Sequence, residues 1–206
     1  MITKELNLLI NKLVTRFDEI SEERKADLTG LIDFIQNKKN NNEIINLIFI
    51  CTHNSRRSHL AQIWAQTAAS FYKIPNVYCY SGGTETTALY PSVTQTLLNS
   101  GFKIQQLSKN ENSVYSFKFD ENNPAIICFS KKYDDLFNPQ SNFAAVMTCT
   151  HAEENCPFIP NAAKRISLPF NDPKEFDDTP LQRAKYEERS EQIAIEMLFV
   201  FSLIKK

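Results

Sequence analysis

Positions 51–58 read Cys51-Thr52-His53-Asn54-Ser55-Arg56-Arg57-Ser58: a cysteine, an arginine six positions on, and a serine directly after it. A loop of this kind, leaving a strand and entering a helix, can curl its backbone N–H groups around a tetrahedral oxyanion. The helix N-terminus favours negative charge at the same point. Thr52, His53, Asn54, Ser55, Arg56, Arg57 and Ser58 are therefore the candidate oxyanion-binding residues, with the Arg57 guanidinium expected to grip two oxygens at once. The same positive field stabilises a thiolate, which makes Cys51 the candidate nucleophile and Ser58 a candidate hydrogen-bond donor to it. The spacing alone is common, arising by composition in about one chain in six, so its weight comes from the flanking elements.

Displacing an oxygen from a tetrahedral centre requires a proton on the leaving atom. Asp172, followed by Pro173, is the candidate acid, with Asp177 and Asp178 close enough in sequence to compete. Two further cysteines, Cys149 and Cys156, stand six residues apart in VMTCTHAEENCPFIP. They can be inert core thiols, two of three zinc ligands together with His151, or a redox pair. Cys79 and Cys128 fall inside predicted strands and are expected in the core.

These groups need a scaffold that brings them together. The aliphatic run Ile44–Ile50 suits a strand buried on both faces and ends at Cys51; residues 58–72 have helical periodicity, and Val77–Tyr80 gives a second strand. Pro91 opens a helix that ends near Gly101. Val114–Phe119 and Ala125–Phe129 read as a β-hairpin, Phe143–Thr148 and Arg165–Leu168 as further strands, and Leu181–Ile204 as a long helix. Before these, apolar spacing from Lys4 to Ile20 and a Ser21 cap predict a helical hairpin and linker over residues 1–42, leaving 43–206 as the catalytic domain. Alternating strands and helices imply an α/β fold with ligands at the carboxyl ends of parallel strands.

The segment IFICTHNSRRSHLAQIWA resembles the phosphate-binding loop of the low-molecular-weight protein tyrosine phosphatase superfamily, which includes the thioredoxin-coupled arsenate reductases. SGGTETTALYPSVTQTLLNSGF resembles its second strand, loop and helix, and LPFNDP the loop that carries its acid; the likeness runs from about Ile45 to the C-terminus. It implies a four-stranded parallel sheet flanked by helices, here with an inserted β-hairpin and an N-terminal helical extension that the minimal family fold lacks. The Cys149–Cys156 segment resembles the redox segment of the arsenate reductases. That likeness implies a relay: Cys51 attacks arsenate, Cys149 attacks Cys51 as arsenite leaves, and Cys156 attacks Cys149. The resulting disulfide would be returned to dithiol by thioredoxin as external donor, with no bound cofactor or metal. Thiolate attack in sequence needs movement, so a mobile loop is expected after Cys149. The alternative is a phosphatase acting on phosphotyrosine in a phosphoprotein, or on small phosphate esters, with Phe176 and Tyr186 as candidate walls for an aromatic ring. Three departures stand out: His53 occupies a usual glycine position, Arg56 a position usually cysteine or uncharged, and Gln62 one where the reductases often hold a glutamate near a potassium ion.

Composition closes off other classes. Twenty-three Lys and Arg against 24 Asp and Glu leave a formal charge of −1, which argues against nucleic acid as a partner. The apolar runs are too short to span a membrane, the N-terminus does not read as a signal peptide, and five cysteines do not form an even framework. A cytoplasmic location is expected.

Overall fold

The computed structural model describes residues 2–155 and 158–205. The aliphatic run forms β1 (Ile45–Cys51), the centre of a parallel sheet of order β2-β1-β6-β7, with β2 at Val77–Gly83, β6 at Phe143–Met147 and β7 at Ala162–Ser167. Both faces of β1 are buried, which is why its pattern is continuous rather than alternating. Ile45, Leu47 and Phe49 pack into the larger core, and Ile48 and Ile50 into a smaller one with Phe143, Met147 and Cys149. The larger core is covered by α3 (Arg57–Phe71), α4 (Pro91–Asn99) and α6 (Gln182–Ser202). Gly101 ends the segment after α4 at φ 97, and a Cβ there would lie 2.8 Å from the Leu6 backbone nitrogen.

Because β1, β6 and β7 run parallel, their carboxyl ends deliver Cys51, Cys149 and the Leu168–Asp172 loop to one edge of the sheet. At the opposite flank, β2 is an edge strand whose outward groups are taken by a side chain: Gln66 Nε2 donates to Val77 O at 3.0 Å and its Oε1 accepts from Cys79 N at 2.9 Å. Gln62 on the same helix donates to Cys79 O and to Ile127 O, tying the sheet to the insertion.

The expected hairpin is present in the insertion, and a third strand pairs with it. β3 (Lys103–Gln106) pairs antiparallel with β4 (Tyr115–Lys118), which pairs with β5 (Ile126–Cys128). Ile104 is the only apolar residue of β3, so no alternation marks it in the sequence. Residues 150–155, expected as a mobile loop, form a short helix, α5, packed against β1 and β6.

The N-terminal helices are α1 (Lys4–Leu13) and α2 (Glu22–Asn40), the latter capped by the Ser21 side chain, which accepts from Arg24 N. Helix geometry does not run to Ile20 as the periodicity predicts. It tightens to a 3-10 turn over Val14–Glu19, where the Arg16 guanidinium is tied to Glu19 and to Glu191 of α6. Leu6, Ile10, Leu28 and Leu31 are fully buried in the same core as Trp64, Leu198 and Phe201. No helix among the described residues is long and apolar enough to cross a membrane.

Candidate active site

The loop from Cys51 to Ser58 is held from outside by its carbonyls. Thr84 N donates to Cys51 O, Glu85 N to Thr52 O, Ser130 Oγ to His53 O and Tyr90 N to Ser55 O, at 2.8–3.2 Å. In a planar trans peptide the N–H points opposite to the C=O, so carbonyls anchored outward turn the following N–H groups toward the loop's centre. This is the cradle expected for a tetrahedral oxyanion. Gly83 permits the packing: a Cβ there would meet Thr52 O at 2.7 Å and Asn54 N at 2.8 Å.

The backbone strain expected at His53 falls on the next residue. Asn54 has φ 44, a region that asparagine enters more readily than most residues, whereas His53 turns outward with Nε2 3.3 Å from the Glu85 carboxylate. Asn54 is fully buried. Its Nδ2 donates to Ser58 Oγ at 2.9 Å and its Oδ1 accepts from Lys131 N at 3.0 Å. With its oxygen accepting from Asn54, the Ser58 hydroxyl is free to direct its proton to Cys51 Sγ, 3.1 Å away.

Arg57 and Asp172 meet beside the loop. Arg57 Nη2 lies 2.5 Å from Asp172 Oδ2, and Nη1 donates to Phe170 O at 2.9 Å. The other oxygen of Asp172 accepts from Lys174 N, capping a 3-10 turn over Pro173–Phe176. Behind Phe170, the Arg24 guanidinium of α2 stacks 4.8 Å from the ring centroid and pairs with the buried Glu196 at 2.9 Å. The N-terminal extension thus supports the loop that carries Asp172.

Arg56, expected to add charge at the mouth, is engaged elsewhere. Its guanidinium pairs with Asp177 Oδ2 at 2.5 Å, donates to Tyr186 Oη and lies 3.9 Å over the Tyr90 ring. Tyr186 also donates to Asp177 Oδ1, and burial together with that carboxylate pushes its hydroxyl pKa far above the ordinary range. Tyr186 is fully buried and stacked on Tyr90, so it is a brace rather than a wall for a substrate ring. Asp177 is committed to this brace, whereas the Asp172 carboxylate is the one held at Arg57 beside the loop. Tyr90 and Lys131 carry no local sign of these roles, since their partners lie far away in sequence.

Beneath the loop sits a buried polar group. His59 is fully buried, with Nδ1 3.1 Å from Ser81 Oγ, and its Nε2 has no hydrogen-bond partner among the described residues. Burial, with Lys131 nearby, pulls its pKa down to about 3. Burial likewise lowers Lys131 to about 8, its ammonium lying 4.5 Å and 5.3 Å from the Phe129 and Phe137 ring centroids. Cys79 and Cys128 are buried as expected, and desolvation raises Cys128 to about 12.

Cys149 is buried at the end of β6, next to the loop. Its Sγ lies 3.5 Å from Thr52 Oγ1 and accepts from Ala152 N at 3.3 Å, while His151 Nδ1 lies 3.2 Å from the same threonine hydroxyl. Cys156, the other half of the proposed pair, falls outside the described residues. Among the described residues no cluster of three His, Cys, Asp or Glu forms a metal site.

No family model matches the chain. It is 28% identical over 151 residues to the arsenate reductase of Staphylococcus aureus strain Newman, a match covering 73% of this chain and 92% of the relative. In fold it resembles a YwlE mutant from Bacillus subtilis, at TM-score 0.53 and 14% identity over 79% of this chain and 99% of the other. It also resembles the low molecular weight protein tyrosine phosphatase of T. tengcongensis, at TM-score 0.50 and 13% identity over 75% and 97% of the two chains. Those two likenesses speak to fold, whereas the sequence match, together with the Cys51–Ser58 loop at a strand-to-helix junction, speaks to descent and to cysteine-based chemistry. The chain has the fold of the low-molecular-weight protein tyrosine phosphatases and is similar in sequence to curated arsenate reductases.

Proposed function

We propose that the protein hydrolyses phosphate monoesters, phosphotyrosine or small esters, with Cys51 as nucleophile. The observation that carries this reading is the meeting of Arg57 and Asp172 at 2.5 Å beside a loop whose nucleophile is already held by Ser58. An incoming phosphate monoester competes with Asp172 for the Arg57 guanidinium, and the freed carboxylate takes up a proton from the monoanionic ester or from solvent. Cys51 then forms the S–P bond as the ester P–O bond breaks, and Asp172 supplies the proton to the leaving oxygen. In the second step Asp172 takes a proton from water, whose oxygen attacks phosphorus and expels the thiolate onto Ser58. The test is hydrolysis of p-nitrophenyl phosphate: Cys51→Ser should abolish turnover, and Asp172→Asn should lower kcat by about 100-fold or more. Full kcat in Asp172→Asn would refute the assignment of the acid.

A second reading, arsenate reduction, is favoured by the position of Cys149 against Thr52, the residue after the nucleophile, and by the curated relatives named arsenate reductases. After Cys51 bonds to arsenic, Cys149 attacks the Cys51 sulfur; the S–S bond forms, the electron pair leaves with arsenic, and arsenite departs. Cys156 then attacks Cys149, and thioredoxin returns the Cys149–Cys156 disulfide to dithiol. Cys149→Ser separates the readings. Loss of arsenate-dependent NADPH consumption in the presence of thioredoxin and its reductase, with aryl phosphate hydrolysis retained, supports reduction as an added activity. No NADPH consumption by the unaltered protein rejects it.

A further inference from the structure

A cleft of about 540 Å³ opens beside the Arg57–Asp172 pair, on the α6 side, lined among others by Thr150, Phe176, Lys185 and Arg189. Its charges are unevenly satisfied. Arg57 is taken by Asp172, and Lys185 donates to Glu188 Oε2 at 2.7 Å. Glu175 is exposed at the rim. Arg189 is the most loosely paired of the three cations. Its side chain is 11% exposed and bonds the uncharged amide oxygen of Gln192, while the nearest carboxylate oxygen, Glu188 Oε1, stands 3.8 Å from Nη2, beyond hydrogen-bond range. Its Nε is buried with no partner among the described residues. Burial, the largest influence, and the neighbouring Arg57 disfavour its charge, Glu188, Glu196 and Asp172 favour it, and the guanidinium stays protonated. Its paired carboxylate, Glu188, is shared with Lys185 and stands beyond hydrogen-bond range, so an anion entering the cleft can bond the guanidinium more closely than the protein does.

We propose that this cleft is a specificity subsite, in which Arg189 binds a carboxylate carried by the substrate on the same molecule as the scissile phosphate. The proposal rests on the phosphatase reading. The preferred substrates are then acidic esters, such as an aryl phosphate with a ring carboxylate, rather than neutral ones of the same size. Arg189 supplies charge-assisted hydrogen bonds to the carboxylate while Arg57 and the loop N–H groups hold the phosphate. Because the charge is partly buried, salt should screen the preference only partly.

The experiment compares kcat/KM for 4-carboxyphenyl phosphate and phenyl phosphate, each measured on the same sample of full-length protein, so that any unfolded fraction cancels in the ratio. The expected ratio is about 10 or more in favour of the carboxylated ester, falling to near 1 in Arg189→Gln and partly retained in Arg189→Lys. A ratio at or below 1 in the unaltered protein overturns the proposal, and so does a preference that Arg189→Gln leaves intact. If neither ester is hydrolysed, the phosphatase reading fails. The subsite is then judged by calorimetric binding of benzylphosphonate against 4-carboxybenzylphosphonate: tighter binding of the carboxylated ligand that depends on Arg189 supports it, and equal binding overturns it.

Discussion

His59 should make the protein acid-sensitive by an amount that follows from its surroundings. The imidazole is fully buried next to the candidate loop, with one nitrogen on Ser81 and the other without a hydrogen-bond partner among the described residues, and its pKa is lowered to about 3. In the unfolded chain it returns to about 6.5, so between those values the unfolded state binds the extra proton and stability falls as the pH falls. From about pH 7.5 to about pH 5 the loss from this one residue is about 2 kcal/mol. A folded value of about 4 would give nearly the same loss, because either lies well below the final pH. The perturbation is His59→Gln, which keeps an amide to face Ser81 but cannot titrate. Urea unfolding of both proteins at several pH values isolates the residue, since every other titrating group is shared. The unaltered protein should lose about 2 kcal/mol more than the variant over this interval. Parallel stability curves would refute the reasoning, because they would mean that the folded state accepts the proton as readily as the unfolded one.

Three further outcomes are expected. Gly83→Ala should cost at least about 1–3 kcal/mol and most of the activity, because the added carbon collides with the backbone of Thr52 and Asn54; thermal unfolding and p-nitrophenyl phosphate turnover read both effects. Arg24→Ala should destabilise by about 3 kcal/mol in urea, since it strands Glu196, a side chain only 3% exposed. Replacing both partners, Arg24→Met with Glu196→Met, should recover most of that loss, and failure to recover would show that the pair is not the cause.

The candidate loop was legible in the sequence because its residues are local: Cys51, Arg57 and Ser58 lie within one strand-to-helix turn, and the strand before them announces itself by an aliphatic run. Asp172 was legible through its resemblance to a known loop. What was not legible depends on partners distant along the chain. Arg56 reads as a free cation until Asp177 and Tyr186, more than a hundred residues on, are folded against it. The strained position was assigned one residue early, at His53, because sequence alone does not say which peptide of a tight loop turns over. β3 was invisible for want of alternation, and α5 for want of length. Arg189 was one polar residue among many on a long helix, and its loose pairing beside the cleft is a property of the folded neighbourhood.

The amide of Gln66 has a bearing on assembly. By occupying the outward acceptor at Val77 and the outward donor at Cys79, it lies across the rim of the sheet like a one-residue surrogate strand. A chain arriving to extend the sheet must first forfeit two good hydrogen bonds before it forms any, so this rim is a poor template for polymerisation. Copies of the protein that associate there must do so through side-chain surfaces rather than by backbone pairing at these positions. Gln66→Ala would remove that obstacle without touching the chemistry at the other end of the strands.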